Sequence, residues 1–193
     1  MSYSLKPIWR ESTEILMNEL ILVAMLSLVP AKAQERHGET AEGAKARYGV
    51  IAKAIASVSA NDRQLATFLI AVAKHESSFT RAVHSGKKKG DAGRSHSLWQ
   101  LMCGRYPISK CPRTGLMVKD IVGVKLAPTT RAAGAAGGHL RRAIKSCRGR
   151  AECVFKYYGG VSKTTNLKVQ GRIDARVKTY RRLRAFLASR ATR

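Results

Sequence analysis

Between Ala41 and Ser59 the apolar positions Tyr48, Ile51, Ile55 and Val58 recur three or four residues apart, the spacing that lines one face of a helix. Asn61 or Asp62 can cap a second helix, whose stripe Leu65, Phe68, Leu69 and Val72 runs on to Lys74-His75-Glu76. So continuous a stripe predicts a core helix, and it delivers Glu76 at the end of a rigid, mostly buried element. Residues 80–97 are rich in Gly, Ser and Lys and predict a long surface loop with room for a short hairpin. Leu98 to Leu101 turn apolar again, and Pro107, Pro112 and Gly115 mark another irregular stretch. Thr129 or Thr130 caps a small-residue helix over Arg131 to Lys145, and a short helix covers Glu152 to Tyr158. The last helix, Arg172 to Arg190, turns Ile173, Val177, Tyr180, Leu183 and Leu187 inward and its basic residues outward. With no internal repeat, the pattern predicts one mainly α domain over residues 43–193, carrying long irregular loops or a short β-hairpin. Residues 34–42, polar throughout, predict a loose, flexible leader to it.

The N-terminal pattern differs. Lys6 and Arg10 precede the apolar run Leu20 to Val29, followed by Pro30 and Ala31-Lys32-Ala33, the layout of a secretory signal peptide over residues 1–33. That run falls short of the roughly 20 apolar residues a membrane span needs. Glu11, Glu14 and Glu19 make the basic end less positive than usual, which leaves an uncleaved anchor or a buried N-terminal helix as alternatives.

Charge narrows the partners. The 193 residues hold 36 Lys and Arg against 12 Asp and Glu, a net charge of +24. A surface so lopsided is drawn to polyanions: anionic cell-wall polymers, a membrane surface or nucleic acid. The leader carries three charges of each sign, so cleavage after Ala33 would leave the balance at +24. Cys103, Cys111, Cys147 and Cys153 all follow the leader, and an even count in an exported chain favours two disulfides. Of three possible pairings, the local loops Cys103–Cys111 and Cys147–Cys153 are the simplest. No CxxC pair supports a zinc site. His75, His84 and His96 form no metal-binding pattern and, on polar stretches, are expected to be solvated, so neither metal nor cofactor is expected. Ser77 and Ser95 lie outside any G-x-S-x-G elbow, which speaks against a serine hydrolase.

Scarce carboxylates make each acid conspicuous. Breaking a glycosidic bond requires a carboxylic acid that stays protonated near neutral pH and can protonate the leaving oxygen. Burial supplies this by penalising the charged form. Glu76 stands just past Phe68 to Ala73 and just before Phe79, a suitable setting. Taken alone, a Glu at a helix end is more often paired with a neighbouring cation.

Three motifs, in order, change that balance. His75-Glu76-Ser77-Ser78-Phe79 resembles the E-S-x-F signature of the lysozyme-like transglycosylase (SLT) superfamily, Ser97-Leu98-Trp99-Gln100 its G-L-M-Q motif, and Phe155-Lys156-Tyr157-Tyr158-Gly159-Gly160 its A-Y-N-x-G motif. The resemblance implies a lysozyme-like fold with Glu76 as acid and then base. It also implies that Ser77 or Ser78 steadies the acid or the substrate, that Gln100 contacts the sugar, and that Tyr157 or Tyr158 hydrogen-bonds the Glu76 carboxyl. Departures are Ser97 for Gly, Trp99 for Met and Tyr158-Gly159 for Tyr-Asn; Trp99 is expected to pack in the core rather than under a sugar. Gly90-Asp91-Ala92-Gly93-Arg94-Ser95-His96-Ser97-Leu98-Trp99-Gln100 is also similar to the goose-type lysozyme stretch, where an Asp helps place a water. An inverting hydrolase holds such a base roughly 6.5–9.5 Å from its acid. Asp91 could equally be a turn-forming residue beside Gly90.

The expected function is cleavage of the N-acetylmuramic acid–N-acetylglucosamine β-1,4 bond of peptidoglycan by a monomer, periplasmic or secreted, bacterial or phage-associated. A lytic transglycosylase with Glu76 alone leads, with an inverting lysozyme using Asp91 as alternative. Lys87-Lys88-Lys89, Arg141-Arg142 and Arg181-Arg182 would hold the anionic wall. A non-enzymatic cationic protein binding glycan, membrane or nucleic acid is the competing class. Nucleic acid is not the expected partner, because no basic-aromatic module motif is present.

Overall fold

The computed structural model describes residues 8–161 and 166–190, with side chains from residue 16 onward. Lys6, in the basic end of the predicted leader, lies outside the described residues. The chain is mainly helical: α1 (Ile8–Leu28), α2 (Ala41–Ser59), α3 (Arg63–Ser77), α4 (Arg81–His84), α5 (Val118–Ile121), α6 (Leu126–Ser146), α7 (Ala151–Tyr158) and α8 (Leu167–Ser189). One antiparallel hairpin, β1 (Ser95–His96) with β2 (Leu101–Met102), interrupts them, pairing Ser95 with Met102 and His96 with Leu101.

Helix α3 is the axis of the fold. Leu65 through Ala73 are all buried along it, so it has no solvent face to give up. It packs against α2, α6 and α8. Asp62 caps it, its carboxylate accepting from the Leu65 N–H at 3.0 Å. Thr40 does the same for α2, accepting from Gly43 N–H at 3.1 Å. Phe68 stacks on Tyr180 of α8 with ring centroids 4.2 Å apart and meets Phe155 of α7 edge-on at 5.4 Å. The middle of α3 is thereby packed against aromatic rings of α7 and α8.

Three boundaries differ from the sequence expectation. Helix α6 starts at Leu126, before Thr129, because Pro128 falls in its first turn, where a missing N–H costs no hydrogen bond. Helix α8 starts at Leu167, before its apolar stripe begins, because Asn166 accepts from the N–H groups of Lys168 and Val169. Residues 34–42 are not loose. They form a 3-10 turn (Ala31–His37) whose Gln34 is buried and donates to the Tyr48 hydroxyl (2.8 Å) and the Ser78 carbonyl (3.1 Å). Glu39 then pairs with Arg47 at 2.6 Å, both side chains only 5% exposed. Burying one charge opposite another is what orders so polar a stretch.

The apolar run Leu20 to Val29 lies in α1 up to Leu28, and Met17, Ile21, Ala24 and Met25 of that helix belong to the core where it packs on α2. Among the described residues no single helix is long and apolar enough to cross a membrane. The stretch Leu16–Leu28 passes that test only together with Ala31–His37, across a 56° bend.

Both disulfides are the local ones, Cys103–Cys111 and Cys147–Cys153, and they fit an oxidising environment. His84 and His96, expected in solvent, are buried instead. His84 Nε2 bonds the Thr129 hydroxyl at 2.8 Å, and His96 Nε2 donates to the Gly104 carbonyl at 2.7 Å. His84 ends α4 and His96 lies in β1, and each bond satisfies one ring nitrogen while the other, Nδ1, is buried without a partner. Burial, helped by the positive charge of Arg47, pushes His84 down to about 3. Burial, with Lys74 and Arg176, pushes His75 down to about 4. Between the ordinary 6.5 and these values the unfolded chain takes up protons that the folded chain refuses. Stability is therefore complete above pH 6.5 and lost as pH falls towards 4 and 3. At pH 5 His84 alone should cost on the order of 2 kcal/mol relative to pH 7. Urea unfolding at both pH values checks it: His84→Gln should lose less stability than wild type over the same interval, and equal losses would contradict the assignment.

Candidate active site

Glu76 is the penultimate residue of α3, carried to the edge of the core with its side chain 22% exposed. Its carboxylate Oε1 accepts from Arg176 Nη2 of α8 at 2.6 Å. Burial raises the Glu76 pKa; the Arg176 charge pulls it down, the Asp91 charge raises it, and Arg172 lowers it. The net direction is upward. Glu76 thus combines a group that resists ionisation with a guanidinium ready to stabilise the anion once the proton has left.

The segment after the acid, from Ser78 to Gln100, walls it through Asp91, whose charge reaches Glu76. Six of its non-glycine residues take left-handed φ: Ser78 (48°), Phe79 (54°), Asp91 (47°), Ala92 (54°), Ser97 (66°) and Gln100 (48°). Such conformations cost roughly 1–3 kcal/mol each and gather where geometry serves function. Ser97 occupies the motif's glycine position and keeps the left-handed turn that a glycine would take without strain. Ser97→Gly should therefore stabilise the fold by about 1 kcal/mol in thermal unfolding; a loss of stability would show that the Ser97 hydroxyl, which accepts weakly from the Trp99 N–H (3.4 Å), outweighs the strain.

The other predicted site residues divide. Asp91 is exposed, accepts a short hydrogen bond from the Ser95 hydroxyl, and sits within electrostatic reach of Glu76. Gln100 folds back, its Nε2 donating to the Ser97 carbonyl at 3.0 Å and its amide covering Gly90, where a Cβ would lie 2.0 Å from Gln100 Oε1. Gly90 is thus needed for the close approach that shapes the wall. Trp99 is fully buried and donates from Nε1 to the Leu69 carbonyl of α3 at 3.0 Å, so it is core rather than a sugar platform.

Ser77 departs from its expected role. Its hydroxyl donates to the Ala73 carbonyl at 2.6 Å and accepts from the Phe79 N–H at 3.2 Å, so it finishes the helix rather than steadying the acid. Ser78 is the helix cap, and its carbonyl accepts from Gln34. Of the two tyrosines, Tyr158 is the one beside the acid: the Glu76 charge and burial both raise its pKa. Its hydroxyl donates to the Trp99 carbonyl at 2.8 Å, tying α7 to the 97–100 turn instead of bonding the Glu76 carboxyl. Tyr157 is exposed and turned towards α6. The Glu76 partner is Arg176, which no sequence pattern singled out from the many basic residues of α8.

Among the described residues no three His, Cys, Asp or Glu side chains gather as metal ligands would. No protein-family model, curated protein or solved structure matches the chain.

Proposed function

We propose that the chain is a periplasmic or secreted peptidoglycan-degrading enzyme, a lytic transglycosylase that cleaves the N-acetylmuramic acid–N-acetylglucosamine β-1,4 bond. The observation that carries this is the state of Glu76: a carboxyl at the end of a buried helix, its pKa raised by burial and its anion matched by Arg176. Protonated Glu76 gives its proton to the glycosidic oxygen as the C1–O bond breaks, and Arg176 stabilises the carboxylate that forms. The neighbouring 2-acetamido group closes on C1. The Glu76 carboxylate then removes the proton of the sugar's own 6-hydroxyl, whose oxygen attacks C1, reopening the acetamido ring and giving a 1,6-anhydro end. One carboxyl suffices for both halves.

The second reading, an inverting lysozyme, is favoured by Asp91, whose charge reaches Glu76 and which Ser95 holds in place. There Asp91 would take the proton of an attacking water. In both readings residues 1–33 direct export, and because α1 buries Met17, Ile21, Ala24 and Met25 against the domain, it stays attached rather than being cleaved after Ala33. The direct test is incubation with dye-labelled peptidoglycan sacculi: soluble coloured fragments support the enzyme, and none sinks it.

The pH profile should carry the signature of the charge set. Activity requires protonated Glu76, so it falls as pH rises through the raised pKa, above the ordinary 4.5. Arg176→Met removes a charge that lowers this pKa and should move the alkaline limb of the cleavage rate upward by about one pH unit. Asp91→Asn removes a charge that raises it and should move the limb downward. Limbs that stay put, or move oppositely, would show that Glu76 does not set the profile.

A further inference from the structure

A cleft of about 450 Å³ is lined by Arg113, His139, Arg142 and Tyr157. Arg113 comes from the loop after Cys111, His139 and Arg142 from successive turns of α6, and Tyr157 from α7. Arg113 Nη1 donates to His139 Nε2 at 3.2 Å, which fixes that nitrogen as an acceptor and the ring as neutral. Both arginines and burial hold the His139 pKa low. Arg113 and Arg142 are exposed, and among the described residues no carboxylate pairs with either. Two guanidiniums beside one neutral imidazole repel each other, and an anion bound between them would relieve that repulsion.

The cleft adjoins the acid. The Tyr158 ring lies 5.2 Å from His139, and the next residue back, Tyr157, is 5.5 Å from it. Tyr158 is also the residue whose hydroxyl anchors the 97–100 turn and whose ionisation feels Glu76. Tyr158 thus stands between the cleft and Glu76.

We propose that this cleft is a carboxylate subsite, in which Arg113 and Arg142 clamp a free carboxylate of a peptide branch on the glycan strand while Tyr157 walls the branch in. This rests on the peptidoglycan reading of the Glu76 site and specifies which substituent that site selects. The planar forks of the two arginines match a carboxylate in two-pronged fashion.

The test measures binding without cleavage. The full-length Glu76→Gln chain is sedimented with intact purified sacculi, and the same chain is compared after adding Arg113→Gln with Arg142→Gln or, as a charge-matched control, Arg181→Gln with Arg182→Gln. The first pair should weaken binding roughly tenfold or more, and the exposed α8 pair by less than about threefold. On sacculi whose carboxylates have been amidated, the Arg113/Arg142 pair should make no difference. Equal losses for the two pairs would overturn the proposal, leaving only diffuse charge attraction. So would a difference that persists on amidated sacculi, or the same Arg113/Arg142 dependence for duplex DNA, which would make the cleft a phosphate site. Failure of the enzyme itself would show separately, as wild-type chain that binds sacculi and releases nothing.

Discussion

Glu76→Gln should abolish release of soluble fragments from peptidoglycan, lowering the rate by roughly a thousandfold or more while leaving the fold intact. Gln keeps the shape and can still meet Arg176, but it has no acidic proton to give the leaving oxygen, and general acid–base catalysis contributes roughly 10²–10⁴-fold. Because the side chain is only 22% exposed and has a charged partner, the exchange also leaves Arg176 without its anion. The thermal midpoint should move by only a few degrees for so modest a change. A variant that unfolds would make lost activity uninformative, so circular dichroism and the melt accompany the assay. If the folded variant still clears bacterial suspensions, the lysis comes from the +24 charge acting on membranes rather than from a glycosidase.

Trp99→Ala should be the most destabilising single substitution in the cleft. The indole is fully buried and its Nε1–H reaches the Leu69 carbonyl of α3. Deleting it leaves a cavity and removes that bond, a cost of about 3–5 kcal/mol. Since domains are stable by only about 5–15 kcal/mol, the loss is a large share of the total. The midpoint should fall on the order of 10 °C. Function should fail with it, because losing the indole frees the 97–100 turn, whose main-chain carbonyl at residue 99 holds the Tyr158 hydroxyl. A cost under about 1 kcal/mol would mean that the 97–100 turn is not pinned to α3 as described.

Much of the frame was legible where a local rule sufficed. The stripe Leu65, Phe68, Leu69 and Val72, with Asp62 as its cap, marks α3 and puts Glu76 at its end; all four are buried and the cap is made. Short loops between cysteines were enough to give both disulfides. What escaped depends on partners distant in sequence. Arg176 meets Glu76 only because Phe68, Phe155 and Tyr180 lock α8 against α3, and nothing near residue 176 distinguishes it from its basic neighbours. Gln34, Glu39 and Arg47 order a stretch whose polarity predicts looseness, because each finds a buried partner. His84 and His96 were expected in solvent for the same reason, polarity of the surrounding sequence, and are buried on bonds to Thr129 and Gly104. The serine next to the acid misleads in the opposite direction: Ser77 stands in the motif, yet its hydroxyl is spent on the helix backbone.

The central claim is that Glu76, acting alone, turns a glycan bond into an anhydro end. Mass spectrometry of the soluble products that the wild-type chain releases from purified peptidoglycan tests it most directly. Fragments ending in 1,6-anhydro-N-acetylmuramic acid, absent from the Glu76→Gln reaction, are the predicted result. Reducing ends in their place would assign the second step to water and Asp91, and no soluble product at all would contradict the account.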